Sequence, residues 1–364
     1  VLGGYIFGIF ADWWGRVHTF SLTIIIFSIF TGACAFADNA VHLDILRFLA
    51  GLGLGGEYGI GMTLVSETWP GAKRARATAG VAMGWQAGAV LAAILAAVVL
   101  PDYGWRGLFL VGVLPALLAA WARHGIKEPP MWVKRKEMKK VLQARKDAGE
   151  KLTAEEEEQL TEAKTFPLAH LFADKKTTIT TIALTIMTSV QNFGYYGIMV
   201  WLPMILLKEH GLTTKSMSGW MIVTVIGMIA GIFVFGWLCD RLGRKKPYLL
   251  FYVCAAAMVY IYVNLGTPIA LLFGGAFLGF FCNGMMAGYG TLLSENYTTD
   301  ARSTAQNFIF NTGRAVGGFA PVIIGTIAQT NGFNTAFVLL SAVYLAAAVN
   351  VLFFVKDTKG TVIR

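Results

Sequence analysis

The sequence predicts an all-α polytopic membrane protein, and three observations carry that prediction. Fifty-six per cent of the 364 residues are apolar and only 14% are charged, a balance no water-soluble fold of this length needs. The apolar residues gather in runs of about twenty, the length that crosses a hydrocarbon core as helix. Charge collects instead between residues 123 and 176, which hold 13 of the 30 Lys and Arg and 10 of the 21 acids.

In chain order, a short apolar stub, 1–11, precedes runs at 17–36, 43–65, 75–99 and 104–123. After the charged stretch come 177–207, 215–238, 247–265, 268–294, 303–328 and 333–355. Many of the 41 glycines lie inside runs, as at Gly51, Gly53, Gly55 and Gly56; in lipid, small residues let helices approach closely. This pattern divides the chain into an N-terminal transmembrane half (1–123), a polar linker (124–176) and a C-terminal transmembrane half (177–364). Within the linker, Thr153 and Glu156 have the spacing of a capping box and predict a short helix to Lys164, with acids in its first turn. Its charges read as a solvated face.

One short pattern occurs twice, 228 residues apart: Gly8-x-x-x-Asp12-x-x-Gly15-Arg16 and Gly236-x-x-x-Asp240-x-x-Gly243-Arg244. The same offset carries Thr63, Ser66, Glu67 and Arg74 onto Thr291, Ser294, Glu295 and Arg302. Two similar hydrophobic halves joined by a polar linker are the mark of a secondary transporter built from parallel repeats. The second copy of the pattern ends a full run that follows another full run, whereas the first copy ends a stub. The arithmetic therefore predicts twelve spans in a six-plus-six plan, with the first helix and part of the second lying before Val1.

Orientation follows from the basic loops. If the loop holding Arg16 is cytoplasmic, alternation places all but five of the 30 Lys and Arg on that side or at its border. The exceptions are Arg106, Lys208 and Lys215 in opposite loops, and Arg47 and Arg314 within runs. This asymmetry accounts for the net charge of +9 without a nucleic-acid partner.

The repeated Gly-x-x-x-Asp-x-x-Gly-Arg resembles the signature of the major facilitator superfamily, and Arg47-x-x-x-Gly51 resembles its fourth-helix motif. Lys127-Glu-Pro-Pro-Met-Trp132 and Lys356-Asp-Thr-Lys-Gly360 resemble the half-ending motifs of its sugar and metabolite porters. Four further stretches are similar to the sialate:proton symporters and related carboxylate permeases: Gly55-Gly-Glu-Tyr-Gly59, Ser66-Glu-Thr-Trp-Pro70, Gly104-Trp-Arg-Gly-Leu-Phe109 and Asn311-Thr-Gly-Arg-Ala315. The resemblance implies a major facilitator fold of two six-helix halves, monomeric, in a bacterial inner membrane. It implies proton-coupled uptake of a small organic anion such as sialic acid or a monocarboxylate by alternating access. A sugar, polyol or aromatic-acid porter is the alternative.

Residue chemistry supplies candidate roles. Asp12 and Asp240, beside Arg16 and Arg244, suit a gating latch between helices, with Glu67 and Glu295 as partners for the arginines. Helix capping and positive-inside signalling are the plainer account of the same residues. Charges inside spans are costly and point to function; Arg47, Glu57 and Arg314 are those found here. Asn307, Asn311, Arg314 and Gly318 recur at helical spacing along one polar face, and a guanidinium there can grip a substrate carboxylate bidentately, unless it serves a structural ion pair. Glu57 is the candidate proton carrier or a hydrogen-bonding anchor. Arg47 joins it in the coupling set, although it lies about 15 Å further along the helix. Gln191 with Tyr195, and Asn192 with Tyr196, form i,i+4 pairs on a run loosened by Gly194 and Gly197. Gln86, Trp85 and Asn283 would complete a substrate cavity, or pack as core.

Other chemistries find no support. The five histidines lie at run ends or in loops, and the four cysteines show no CxxC spacing. No phosphate-binding loop occurs. The sequence therefore predicts neither metal nor cofactor, and no enzyme activity. Arg314 also disfavours a neutral solute, which would give a buried arginine nothing to hold.

Overall fold

A computed structural model describes residues 1–116, 125–208, 211, 213–361 and 363, and among these residues it contains helices and no strand. The N-terminal helices are α1 (Leu2–Trp14), α2 (Arg16–Ala33), α3 (Ala40–Thr68) and α4 (Arg74–Val111). Two linker helices follow, α5 (Pro130–Asp147) and α6 (Ala154–Lys164). The C-terminal helices are α7 (Lys175–Lys208), α8 (Thr214–Leu242), α9 (Lys245–Tyr262), α10 (Pro268–Gly284), α11 (Met286–Asn296), α12 (Arg302–Gly318) and α13 (Ala320–Phe354). Seven stretches among the described residues are long and apolar enough to cross a membrane.

Those seven stretches contain corners. The chain turns inside α4 at Gly104 (φ 61°) and inside α13 at Gly332 (φ 82°), backbone values that only glycine adopts without a steric penalty. Each corner falls where two predicted runs meet, so one continuous helical stretch serves two spans. The 104–123 run is described to residue 116; its end, with Arg123 and His124, lies outside the described residues, as does His210. The 268–294 run is two helices meeting at Met285, and the 303–328 run breaks at Phe319.

The linker holds more structure than its composition suggested. Thr153 and Glu156 form the expected capping box: Glu156 N donates to Thr153 Oγ1 (3.2 Å) and Thr153 N donates to Glu156 Oε2 (2.8 Å). Helix α5 was not foreseen. It starts with Pro130 at its first position, a favoured place for proline, and buries only Trp132 and Leu142, so it carries no long apolar stripe to read. The Thr153 amide and then the Arg145 guanidinium hold Glu156 below the usual carboxylate range. Both favour the charged form, so this contribution is complete above the unfolded value of about 4.3. It disappears as pH falls through the lower folded value. Amide exchange in α6 is therefore expected to be faster in Glu156→Gln than in the parent at pH 7, with the difference shrinking as pH falls below about 4.3.

The N-terminal and C-terminal helices meet along two seams, α1 against α12 and α4 against α8, while α3 and α4 also touch α11. Within the C-terminal helices, Phe235, Tyr248, Phe251, Tyr252, Tyr289 and Tyr344 are buried together. The Tyr252 and Tyr289 hydroxyls both donate to the Met187 carbonyl, at 2.7 and 3.1 Å, so these buried polar atoms are satisfied. Large apolar side chains such as Ile269, Val322 and Phe353 point outward, as a lipid-facing surface requires.

Candidate transport site

A cavity of about 330 Å³ lies between α2, α3, α4, α7, α10 and α12, within the size range of small-molecule sites. Glu57, Gln86, Gln191, Asn192, Tyr195, Tyr196, Asn283 and Arg314 all line it, so residues from both repeats converge there. Gln191 Nε2 donates to Asn283 Oδ1 at 3.4 Å, while Gln191 Oε1 and Glu57 Oε1 are buried without a hydrogen-bond partner. Asn192 is committed to the Thr188 carbonyl (2.8 Å). The Arg314 guanidinium lies 5.7 Å from the centre of the Trp85 ring; among the described residues it forms no ion pair, with Glu57 or any other acid.

Three sequence candidates lie elsewhere. Asn307 and Asn311 share the face of α12 that carries Arg314, but they sit one to two turns earlier, where that face is clamped in the seam. Asn311 Nδ2 donates to the Gly55 carbonyl (3.2 Å) and Asn307 Nδ2 to the Ser303 carbonyl (3.0 Å). A side chain on Gly4 or Gly59 would collide with these asparagines. Helical periodicity identified the face; only packing decides at what depth it emerges into the cavity. Arg47 is likewise outside the cavity: it is exposed near the Phe109 ring, 5.9 Å away.

Three aromatic residues enter the site unannounced, Phe20, Tyr58 and Phe310. Tyr58 stacks on Phe310 with ring centres 4.1 Å apart, and both line the cavity. The Tyr58 hydroxyl points to the Met286 carbonyl (3.4 Å), beside the break between α10 and α11. Its place next to Glu57 in Gly55-Gly-Glu-Tyr-Gly59 was the one available signal.

A second constellation occupies the basic end of the bundle. Arg16 donates to both Glu67 oxygens (3.1 Å each) and lies 3.2 Å from Asp12. Arg302, from the other half, reaches the same Glu67 at 2.6 Å. Asp12 crosses the seam as well, accepting from Ser303 N (3.1 Å), Thr304 N (2.8 Å) and Thr304 Oγ1 (2.6 Å). It thereby caps the N-terminus of α12, where orphan amides and the helix dipole favour an anion.

The repeat copies this arrangement. Arg244 pairs with Glu295 (2.7 Å) and lies 3.5 Å from Asp240. Arg74 reaches across to Glu295 (2.9 Å), and Asp240 accepts from Ala75 N (3.2 Å), Arg76 N (3.3 Å) and Arg76 Nε (3.0 Å) at the start of α4. The pattern glycines Gly15 and Gly243 adopt φ 125° and 93°, and a Cβ on either would strike Glu128 or Asp357. These two acids accept from the amides of Arg16 (2.8 Å) and Arg244 (2.9 Å). The roles of Arg74 and Arg302 were missed, although the common offset had singled both out. The copies differ at the rim: Arg76 is half-exposed on Asp240, whereas the first copy is sealed.

Comparison with known proteins is consistent across the whole chain. The family described as "Sugar (and other) transporter" matches residues 1–363. A putative metabolite transport protein of Haemophilus influenzae is 44% identical over 360 residues, covering 99% of this chain and 84% of the relative. A cis,cis-muconate transport protein of Acinetobacter baylyi is 29% identical (98% and 82% covered), and the sialic acid transporter NanX of Escherichia coli 25% identical (100% and 83% covered). Among solved structures, the proton:xylose symporter XylE superposes with a TM-score of 0.79 at 16% identity, over 99% of this chain and 85% of that one, a likeness of fold. The chain thus belongs to the sugar (and other) transporter family and is a multi-pass secondary transporter with the major facilitator fold.

Proposed function

We propose that the chain carries a small organic anion together with a proton by alternating access. The observation that supports this best is the meeting of Arg314 and Glu57, opposite charges not paired with each other, in one cavity. An unpaired guanidinium in a span needs an anion, and a substrate carboxylate supplies it through two parallel charge-assisted bonds. Glu57, which lines the same space, takes and releases the coupled proton. Gln191, Asn192, Tyr195, Tyr196, Gln86 and Asn283 orient the rest of the substrate. Relatives named for muconate and sialic acid transport agree with a carboxylate.

A second reading has one observation behind it. Six aromatic rings, those of Phe20, Tyr58, Trp85, Tyr195, Tyr196 and Phe310, line the cavity and favour a flat, unsaturated acid over a polyhydroxylated one. In either case the moving bodies are the 1–123 and 177–364 halves, tied by the 124–176 linker. The clusters around Glu67 and Glu295 hold the cytoplasmic side shut, and Asn307 and Asn311 steady the α1–α12 seam.

Uptake of labelled cis,cis-muconate and sialic acid into proteoliposomes tests the proposal. With one proton per anion, each unit of inside-alkaline pH gradient supports about tenfold accumulation, since 1.4 kcal/mol is tenfold. Glu57→Gln is expected to abolish accumulation while leaving exchange of the same acid across the membrane. Transport of a neutral sugar but neither acid would overturn the anion reading; gradient-driven accumulation by Glu57→Gln would overturn the proton role.

A further inference from the structure

The linker makes a groove that the transport reading does not use. Helices α5 and α6 and the end of α1 enclose about 670 Å³. Lys136, Lys139, Lys140 and Lys164 line it, and the acids around it are already engaged. Asp12 caps α12, Asp300 accepts from Arg135 (2.7 Å) and Asp147 accepts from Gln143 (2.6 Å). Lys139 donates to the Ala163 carbonyl. That leaves Lys136, Lys140 and Lys164 with no carboxylate partner among the described residues. Gln143 Oε1 lines the same groove, buried and without a donor.

The rim adds a second kind of observation. Trp13 and Phe166 are about half exposed and meet edge to face, 5.5 Å apart, with Trp13 in the last turn of the apolar helix α1. An amphipathic ring such as that of Trp13 marks the membrane interface. The loop of basic residues beside them marks the cytoplasmic side, whose leaflet is anionic. An aromatic rim, three ammonium groups without a carboxylate partner, of which Lys136 lies 4.5 Å over the Trp132 ring, and one buried acceptor describe a headgroup with a phosphate and a hydroxyl. We infer that this groove binds an anionic phospholipid of the cytoplasmic leaflet: Lys136, Lys140 and Lys164 hold the phosphate, and Gln143 Oε1 accepts from a headgroup hydroxyl. The lipid would fasten the linker to the α1–α12 seam, to which the Arg135–Asp300 pair already ties it.

Native mass spectrometry of the purified chain, titrated with phosphatidylglycerol or phosphatidylcholine, tests this directly. The parent is expected to prefer phosphatidylglycerol by about a hundredfold, three lysines near an anionic headgroup each adding roughly fivefold. Combined Lys136→Gln, Lys140→Gln and Lys164→Gln substitution should remove the preference. Lys134→Gln, Lys146→Gln and Lys151→Gln, which delete equal charge outside the groove, should keep it. Gln143→Leu should lose the preference for phosphatidylglycerol over phosphatidic acid, which lacks the hydroxyls. No preference in the parent, or equal loss in both triple variants, overturns the site. Displacement of the lipid by millimolar inorganic phosphate would assign the groove to free phosphate and overturn the lipid.

Discussion

Glu67→Gln is expected to destabilise the closed arrangement by about 3–5 kcal/mol, the usual cost of removing one partner from a buried ion pair. Glu67 accepts from Arg16 at 3.1 Å and from Arg302 at 2.6 Å, and its side chain is fully buried. The neutral amide keeps the shape but leaves two guanidiniums facing each other with less charge between them. The effect is thus larger than the worth of any single bond in the cluster. At 1.4 kcal/mol per decade, the closed-to-open ratio would fall by roughly a hundredfold to several thousandfold. A cysteine placed at Gly71, beside the second cluster, reads this as faster alkylation from the cytoplasmic side. Unchanged alkylation would show that the cluster does not hold the gate. Asp12→Asn should act in the same direction, but less than additively with Glu67→Gln, because both share Arg16.

Arg314→Ala is expected to weaken binding of the proposed acid substrate by about a hundredfold or more. The proposed grip on the carboxylate would lose two charge-assisted hydrogen bonds, each worth roughly 1.5–3 kcal/mol. Arg314→Lys should fall between the parent and Ala, since an ammonium cannot reproduce the planar fork. Trp85→Ala should cost far less, about 1 kcal/mol, because a ring 5.7 Å from the guanidinium contributes only a cation–π contact. Equilibrium binding in detergent separates these three variants without requiring turnover. If Arg314→Ala binds the acid as the parent does, the carboxylate sits elsewhere in the cavity.

Much of this molecule was legible because the repeat and the bilayer both constrain sequence strongly. Run lengths located the spans, and even the corners at Gly104 and Gly332 fall at the junctions of runs. The offset that links Asp12 to Asp240 and Glu67 to Glu295 located the two charge clusters before any contact was known. What the pattern could not show was which surfaces touch. Arg74 lies 221 residues from Glu295 and Arg302 lies 235 from Glu67, so their pairing depends on how two bodies dock. The same limit separated Arg314, in the cavity, from Asn307 and Asn311 on the same helical face. Helix α5 escaped for a different reason: with two buried side chains it owes its place to docking rather than to an apolar stripe.

The capping of α12 by Asp12 and of α4 by Asp240 has a consequence for how such a molecule changes shape. Neither body completes its own backbone; each lends a carboxylate that finishes a helix of the other. Parting them strips the amides of Ser303 and Thr304, and of Ala75 and Arg76, of their acceptors together. The Ser303 and Thr304 amides, buried in the seam, must then find water, since buried unsatisfied donors are too costly to persist. Opening is in this sense a wetting event. Opening of this seam would thus have to admit a few solvent molecules as well as rotate helices.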